Sequence, residues 1–256
     1  MSLRRVALAD LTVRGERAFR EVPLYGRLKA CLHDDGVVFL VADGEAANPD
    51  RVRFLNLTFW HAGETSDVLV DDSIEADVVA HAAWHHAAGR ALATGLPPTA
   101  AALLLGESVA SAFDVYVVGR MLRTGRQTAY LRSQMPLMAA AAAEAGFEAA
   151  GVAAMFQTVA DDPDEAFADL RGLLFESSLA LLACAGPGEA AACLLRFESH
   201  RFSCLLHHFA LSSWVLYARA YAGSPVAEDA AMLADAAMRA SPRALAWLEA
   251  HWLPRA

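Results

Sequence analysis

The chain from Asp71 onward is rich in alanine and leucine, and residues that start or end helices recur along it. Asp72 or Ser73 can cap a helix that continues to about Thr94, and Gly95–Pro98 both ends that helix and starts the next. Long helices that follow one another in this way predict a helical bundle. The remaining long helices are predicted at about 98–122, 126–160, 161–185 and 188–222. The segment 126–160 has a kink or break at Pro136 and a boundary at Gly146, so it could be one helix or two. Two shorter helices begin at Pro225 and at Ser241-Pro242.

The first seventy residues follow a different pattern, with short apolar runs and turn residues. Leu28–His33 and Val37–Ala42 flank a segment that ends in Gly36, which favours a β-hairpin because glycine accepts the positive φ of the turn. The other predicted strands are Val52–Trp60 and, with weaker patterns, Val6–Val13 and Asp67–Val70.

Together these patterns predict an α+β protein. A small antiparallel β region occupies residues 1–70, and a mostly helical bundle occupies residues 71–256, either as two domains or as one continuous domain. A chain of 256 residues that is 56% hydrophobic can bury a sizeable core in either arrangement.

Charge and hydropathy exclude several classes of partner. The net charge is −9, and Lys29 is the only lysine, so we expect no nucleic acid partner. No apolar stretch of signal-peptide length follows the basic N-terminal residues, and the longest run without charged residues, 202–218, is short for a bilayer span. We therefore expect a cytoplasmic protein without a membrane partner. Its cysteines should be reduced: Cys31, Cys184, Cys193 and Cys204.

Histidines lie at ligand-like spacing inside the first predicted helix. His81 and His85 are four residues apart and fall on one helical face with Ile74, Val78 and Leu92. That face is expected to point into the protein. Buried imidazoles need a hydrogen bond or a metal ion, because an unsatisfied polar group in the core costs a few kcal/mol.

Carboxylates and further histidines occupy otherwise apolar positions on other predicted helices. Glu107 and Asp114 project the same way, seven residues apart. Glu176 has small neighbours that leave room beside its carboxylate. On the last long helix His200, Cys204 and His207 form one stripe, while Glu198 lies on another. Carboxylate and imidazole ligands together suit iron, manganese or zinc, and a bundle can gather such ligands from facing helices.

In general layout, residues 71–222 resemble the ferritin-like and haem-oxygenase-like di-iron oxidases. The last ligand helix of haem-oxygenase-like oxidases reads His-x3-Asp-x2-His, and that spacing here holds His200, Cys204 and His207. Their first ligand helix reads Glu-x6-His, and the spacing here holds Glu107 and Asp114. A ferritin-like site has Glu-x-x-His on two helices; this chain has instead His81-x3-His85 and Glu198-x2-Arg201. The resemblance implies a metal centre, most simply di-iron, that activates dioxygen.

We therefore predict a metal-dependent oxidase or oxygenase that acts on a small organic substrate. Iron is the expected metal, with manganese or zinc as alternatives. Further candidate ligands are Asp114, Cys204 and Glu198, and no catalytic residue is assigned. The chain could form a homodimer. The predicted metal ligands are His81, His85, Glu107, Glu176, His200 and His207.

Each of these side chains also has a structural explanation. A single histidine on an apolar helix is commonly a satisfied core residue, and a buried glutamate commonly pairs with an arginine. The alternative prediction is a non-enzymatic ligand-binding or assembly protein. The available arginines are Arg90, Arg120, Arg171, Arg196 and Arg201.

Overall fold

A computed structural model describes residues 3–43, 48–50, 52, 56, 67–93, 97–225 and 229–254. The chain forms two compact units, one comprising residues 1–91 with 250–256 and the other residues 92–249. Small sheets occur in the first unit, and helices make up the bulk of the chain, so the predicted α+β class with a helical bundle is confirmed.

The first unit combines short strands with helices in its described residues. The strands are β1 (Leu3–Ala7), β2 (Thr12–Arg14), β3 (Val38–Ala42), β4 (Val68–Leu69) and β5 (Ser73–Glu75). The helices are α1 (Glu16–Phe19), α2 (Tyr25–Asp34) and α3 (Ala76–Ala91).

Strand pairing is mixed, although the sequence predicts an antiparallel sheet. β1 pairs antiparallel with β3, so that Leu3 lies opposite Ala42. β4 joins β3 in parallel, and β2 pairs with β5 in parallel as a separate two-stranded sheet. Parallel pairs require long crossover connections, and the segments between these strands provide them.

The predicted hairpin is wrong in its first half. Leu28–His33 belongs to helix α2, while Val38–Ala42 is a strand as predicted. Gly36 does adopt a positive φ of 63°, but it ends a helix there. Its N–H donates to the His33 carbonyl, and the Val37 N–H donates to the Leu32 carbonyl at 2.9 Å. This pair of bonds is the Schellman motif, which uses the same glycine signal as a hairpin turn.

The strand predicted at Val52–Trp60 is wrong at the positions that the structure describes. Val52 and Asn56 are helical, and the rest of that segment lies outside the described residues. The Asn48 side chain accepts a hydrogen bond from the Asp50 N–H at 2.9 Å, just before Pro49 and Asp50 begin the helix. An Asn cap followed by Pro at the first helical position is a helix start signal that outweighs the apolar pattern of Val52–Trp60.

The second unit is helical throughout its described residues, apart from turns and a 3-10 helix. Its helices are α4 (Ala100–Arg123), α5 (Ala129–Glu144), α6 (Ala149–Asp161), α7 (Pro163–Leu182), α8 (Pro187–Leu195), α9 (Leu211–Tyr221), α10 (Ala230–Ala240) and most of α11 (Ala244–His251).

Helix α4 is the central element of the second unit and packs against α6, α7 and α9. Its N-terminus is capped by Thr99, whose hydroxyl oxygen accepts a hydrogen bond from the Ala102 N–H at 3.1 Å. The helix is long and apolar enough to cross a membrane by length and composition, but 83% of its apolar window is buried within the protein. That burial is typical of a core helix.

The long helix predicted at 188–222 is wrong. Helix α8 ends at Leu195, a series of turns and a 3-10 helix (Ser203–Leu205) follows, and α9 begins at Leu211. The intervening backbone bonds span three residues, as from the Ser203 N–H to the His200 carbonyl, and the Ser203 hydroxyl donates to the Glu198 carbonyl. A serine side chain that binds a nearby carbonyl competes with helix continuation.

Gly119 lets α4 approach α6 closely. A Cβ atom at this position would meet the Val159 carbonyl oxygen and would lie 2.9 Å from Val159 Cγ1. We therefore expect Gly119→Ala to lower the free energy of unfolding by about 1–3 kcal/mol, because the two helices must separate. Urea denaturation of the full chain measures the change.

Gly151→Ala on α6 is the matched control, because nothing lies within 4 Å of its Cβ position. Alanine is the better helix former, so this variant should be neutral or more stable by up to about 1 kcal/mol. Equal stability of the two variants would contradict close packing at Gly119.

Candidate functional site

Helix α3 carries the paired histidines. Its buried face consists of small residues and one large side chain, Trp84, which is fully buried. Because Ala80, Ala83 and Ala87 fill this face, His81 and His85 lie at its edge and are half-buried. The predicted inward face is therefore displaced around the helix from the true core face.

The two imidazole rings are in direct contact. The Nε2 atoms of His81 and His85 are 3.1 Å apart, and the ring centroids are 4.9 Å apart. A hydrogen bond between two neutral imidazoles accounts for that distance. One bound metal ion also accounts for it: metal–nitrogen bonds of about 2.0–2.1 Å place two ligand atoms about 2.9 Å apart at a right angle and about 3.3 Å apart at the tetrahedral angle.

A second polar cluster joins α2 to α3. Asp35 Oδ2 lies 2.7 Å from His86 Nε2 and also accepts a hydrogen bond from the Arg90 guanidinium. Cys31 Sγ lies 3.9 Å from the same carboxylate oxygen. Asp35, His86 and Cys31 could together face one metal ion, but the Asp35 carboxylate already forms an ion pair with the Arg90 guanidinium. An ion-pair network between the two helices explains this cluster best.

The electrostatics of the cluster agree with a structural role. Hydrogen bonds from His86 and Arg90, together with their charges, lower the pKa of Asp35, although partial burial opposes them. Burial, together with the Asp35 charge, raises the pKa of the Cys31 thiol. A thiol with a raised pKa is a poor nucleophile, so this cysteine is not activated. Sequence patterns missed the cluster because Cys31 and Asp35 were assigned to a hairpin rather than to one helical face.

In the second unit, Glu176 and His200 line the same cleft. Its volume is about 340 Å³, and α7, the turns after α8, and the junction of α10 with α11 form its walls. Glu176 is exposed, contrary to the apolar setting predicted for it, and its carboxylate lies 2.9 Å from Arg239 Nη1. Arg239 in turn donates from Nε to Asp235, which also pairs with the buried Arg171.

A backbone hydrogen bond fixes the protonation of His200. Its Nδ1 accepts from the Phe202 N–H at 3.2 Å, so the neutral ring carries its proton on Nε2. Burial lowers the pKa of His200 despite the opposing charge of Asp169, which favours this neutral form. In this arrangement neither ring nitrogen presents a lone pair for metal ligation. The break of the predicted long helix is responsible, because it places Phe202 in a turn beside His200.

The remaining predicted ligands of the second unit lie elsewhere. Glu107 is half-buried on α4, where its charge adds to burial in raising the pKa of Tyr217 on α9. His207 is exposed in the turns before α9. The secondary candidate Cys204 is buried in the 3-10 helix, and burial raises its pKa. The second unit therefore brings together Glu176 and His200 but does not gather the other predicted ligands around them.

Comparison with protein families, curated proteins and solved structures finds no match for this chain. The resemblance to helical di-iron oxidases thus stays a prediction from the sequence.

Asp35 makes stability depend on pH. Its pKa is lowered in the folded state, so its stabilisation is complete above the unfolded carboxylate pKa of about 4 and is lost as pH falls through the folded value. We expect Asp35→Asn to lower the free energy of unfolding by about 1 kcal/mol at about pH 7, a modest value because the carboxylate is partly exposed. Below about pH 4 the difference from the wild type should shrink. Urea denaturation across this range measures it.

Asp34→Asn provides the control. Asp34 is the neighbouring carboxylate, largely exposed, and it pairs with His33 next to it. Its substitution should change stability little at any pH. A constant difference between Asp35→Asn and wild type from neutral to acidic pH would refute the proposed role of the ionised carboxylate.

Proposed function

We propose that this protein binds a first-row transition-metal ion through His81 and His85. The observation that supports the proposal is the 3.1 Å separation of the two Nε2 atoms on one helix. Neutral imidazole is a good ligand for zinc, copper, iron and nickel, and two histidines one helical turn apart can both reach one ion without distorting the helix.

The half-buried position of the pair also favours binding. Both rings are partly shielded from water, yet an ion can still enter from solvent. Two histidine ligands leave coordination positions open, which catalytic metal sites require for substrate or water. An oxidase or oxygenase activity on a small organic molecule remains our proposal for a redox-active ion such as iron. Zinc at the same site would support a non-redox role.

The main alternative is a neutral imidazole pair joined by one hydrogen bond, as in a non-enzymatic bundle. The arginine partners of Asp35 and Glu176 favour this alternative at those two carboxylates. The two explanations of the histidine pair differ in their response to mutation. A metal ligand affects mainly the bound state, whereas a structural hydrogen bond affects the apo protein as well.

We expect His81→Ala and His85→Ala each to weaken binding of Zn²⁺ or Co²⁺ by at least about tenfold, because each removes one of the two histidine ligands. Without metal, both variants should keep nearly wild-type stability. Isothermal titration calorimetry on protein purified without a histidine tag measures the affinity, and urea denaturation in chelator measures the stability. Binding should also weaken below about pH 6, where free imidazole becomes protonated.

His33→Ala is the control, since it removes an exposed imidazole from α2. It should leave metal affinity unchanged. If His81→Ala and His85→Ala bind the metal like the wild type and instead lose about 1–3 kcal/mol of stability in chelator, the pair is structural and the proposal is wrong.

A further inference from the structure

The cleft of the second unit has the chemistry of a ligand site, and it is independent of the histidine pair on α3. Its volume of about 340 Å³ is at the lower end of the range of small-molecule pockets, which favours a small ligand. Three walls meet there, from α7, from the turns around Phe197, and from the residues that join α10 to α11.

Charged groups of both signs line the cleft in equal number. Arg171 and Arg239 are positive, and Asp169 and Glu176 are negative. Their ion-pair partners outside the lining, Asp235 and Arg201, add one charge of each sign. A ligand with a net charge would leave one sign unbalanced, and an apolar ligand would remove water from these groups without replacing its hydrogen bonds. A ligand that carries one charge of each sign avoids both penalties.

Hydrogen-bond capacity in the cleft is also divided between donors and acceptors. His200 lines the cleft with its ring proton on Nε2, and the partly exposed Arg239 guanidinium lines it as well. The half-exposed Glu176 carboxylate uses Oε1 for its ion pair with Arg239. These groups can meet a carboxylate on one side and an ammonium group on the other.

The floor and walls are held in place by a buried network. Arg171 is only 1% exposed, pairs with Asp235, and has no hydrogen-bond partner for Nε among the described residues. Asp235 also binds Arg239, so one carboxylate holds both guanidinium groups in place. Arg239 also packs on Gly172, where its Nη2 lies 3.4 Å from the position that a Cβ would occupy. A preorganised polar group loses little entropy on binding.

Apolar side chains complete the cleft. Leu173, Phe197 and Met238 contribute to its lining. They offer an apolar surface next to the charged groups, which fits the aliphatic or aromatic substituent of a small molecule.

We propose that this cleft binds a small zwitterion with an apolar substituent, of the kind represented by free apolar α-amino acids. The ligand carboxylate lies toward Arg239 and His200, its ammonium group lies toward Glu176, and its side chain packs on Leu173, Phe197 and Met238.

Calorimetric or ligand-observed NMR titration of the full chain tests this proposal. The test ligands are L-leucine, L-methionine and L-phenylalanine, together with two matched halves of leucine: 4-methylpentanoate, which lacks the ammonium group, and 3-methylbutylamine, which lacks the carboxylate. At least one amino acid should bind saturably. For leucine, each half-molecule should bind at least about tenfold more weakly.

The Glu176→Gln variant tests whether the ammonium group of the ligand binds at the Glu176 carboxylate. Glu176 is exposed, so the variant should fold, and circular dichroism checks this. It should weaken amino-acid binding at least about fivefold, whereas 4-methylpentanoate, which has no ammonium group, should bind no more weakly than to the wild type, because the variant also frees Arg239 from its ion pair. Glu198→Gln, an exposed carboxylate outside the cleft lining, should behave like wild type. The proposal is overturned if none of the amino acids binds saturably, if the half-molecules bind as tightly as leucine, or if Glu176→Gln binds like wild type.

Discussion

Desolvation of polar side chains on alanine-rich helices is the constraint on which both units depend. Small residues let helices approach closely, so any charged group between them loses water and must find a partner. Arg171 shows this most clearly. Burial lowers the pKa of its guanidinium although Asp235 opposes the shift, and the ion pair joins α7 to α10. Removing one partner of such a buried pair commonly costs about 3–5 kcal/mol, because the other charge stays buried alone.

The same constraint operates in the first unit at the contact between α2 and α3. Asp35 ends the face of α2 that meets α3, and two donors from α3 satisfy its carboxylate. About one turn earlier on α3, the rings of His81 and His85 either form a hydrogen bond with each other or bind one shared ion. Helix α3 thus combines a structural histidine, His86, with a pair that is suited to metal binding.

The helical parts of the fold could be predicted because their start and stop signals are local. Pro163 begins α7 after its Asp162 cap, and Gly146 follows the end of α5. The helix start predicted at Asp72 or Ser73 was wrong, because Ser73–Glu75 pairs as β5 and α3 begins at Ala76. The hairpin at Gly36 was wrong because one glycine signal serves both a hairpin turn and a helix C-terminus. The long helix predicted at 188–222 was wrong because turns interrupt it. In these turns His200 Nδ1 accepts from the Phe202 N–H and the Ser203 hydroxyl donates to the Glu198 carbonyl, and helical periodicity does not reveal such bonds.

The candidate site was predictable where it depends on spacing along a single helix, as for His81 and His85. Contacts between helices could not be predicted, since periodicity gives a face but not what lies opposite. Arg239 was not anticipated as the partner of Glu176, nor Asp235 as the group that holds Arg239 and Arg171. A true ligand cluster and an arginine-paired carboxylate give the same sequence pattern.

The most direct test of the histidine pair is anomalous X-ray diffraction from crystals grown with Zn²⁺ or Co²⁺, recorded on both sides of the metal absorption edge. The account predicts an anomalous peak about 2.0–2.1 Å from Nε2 of both His81 and His85. Absence of a peak at this position, with the two rings still joined at hydrogen-bond distance, would contradict the account.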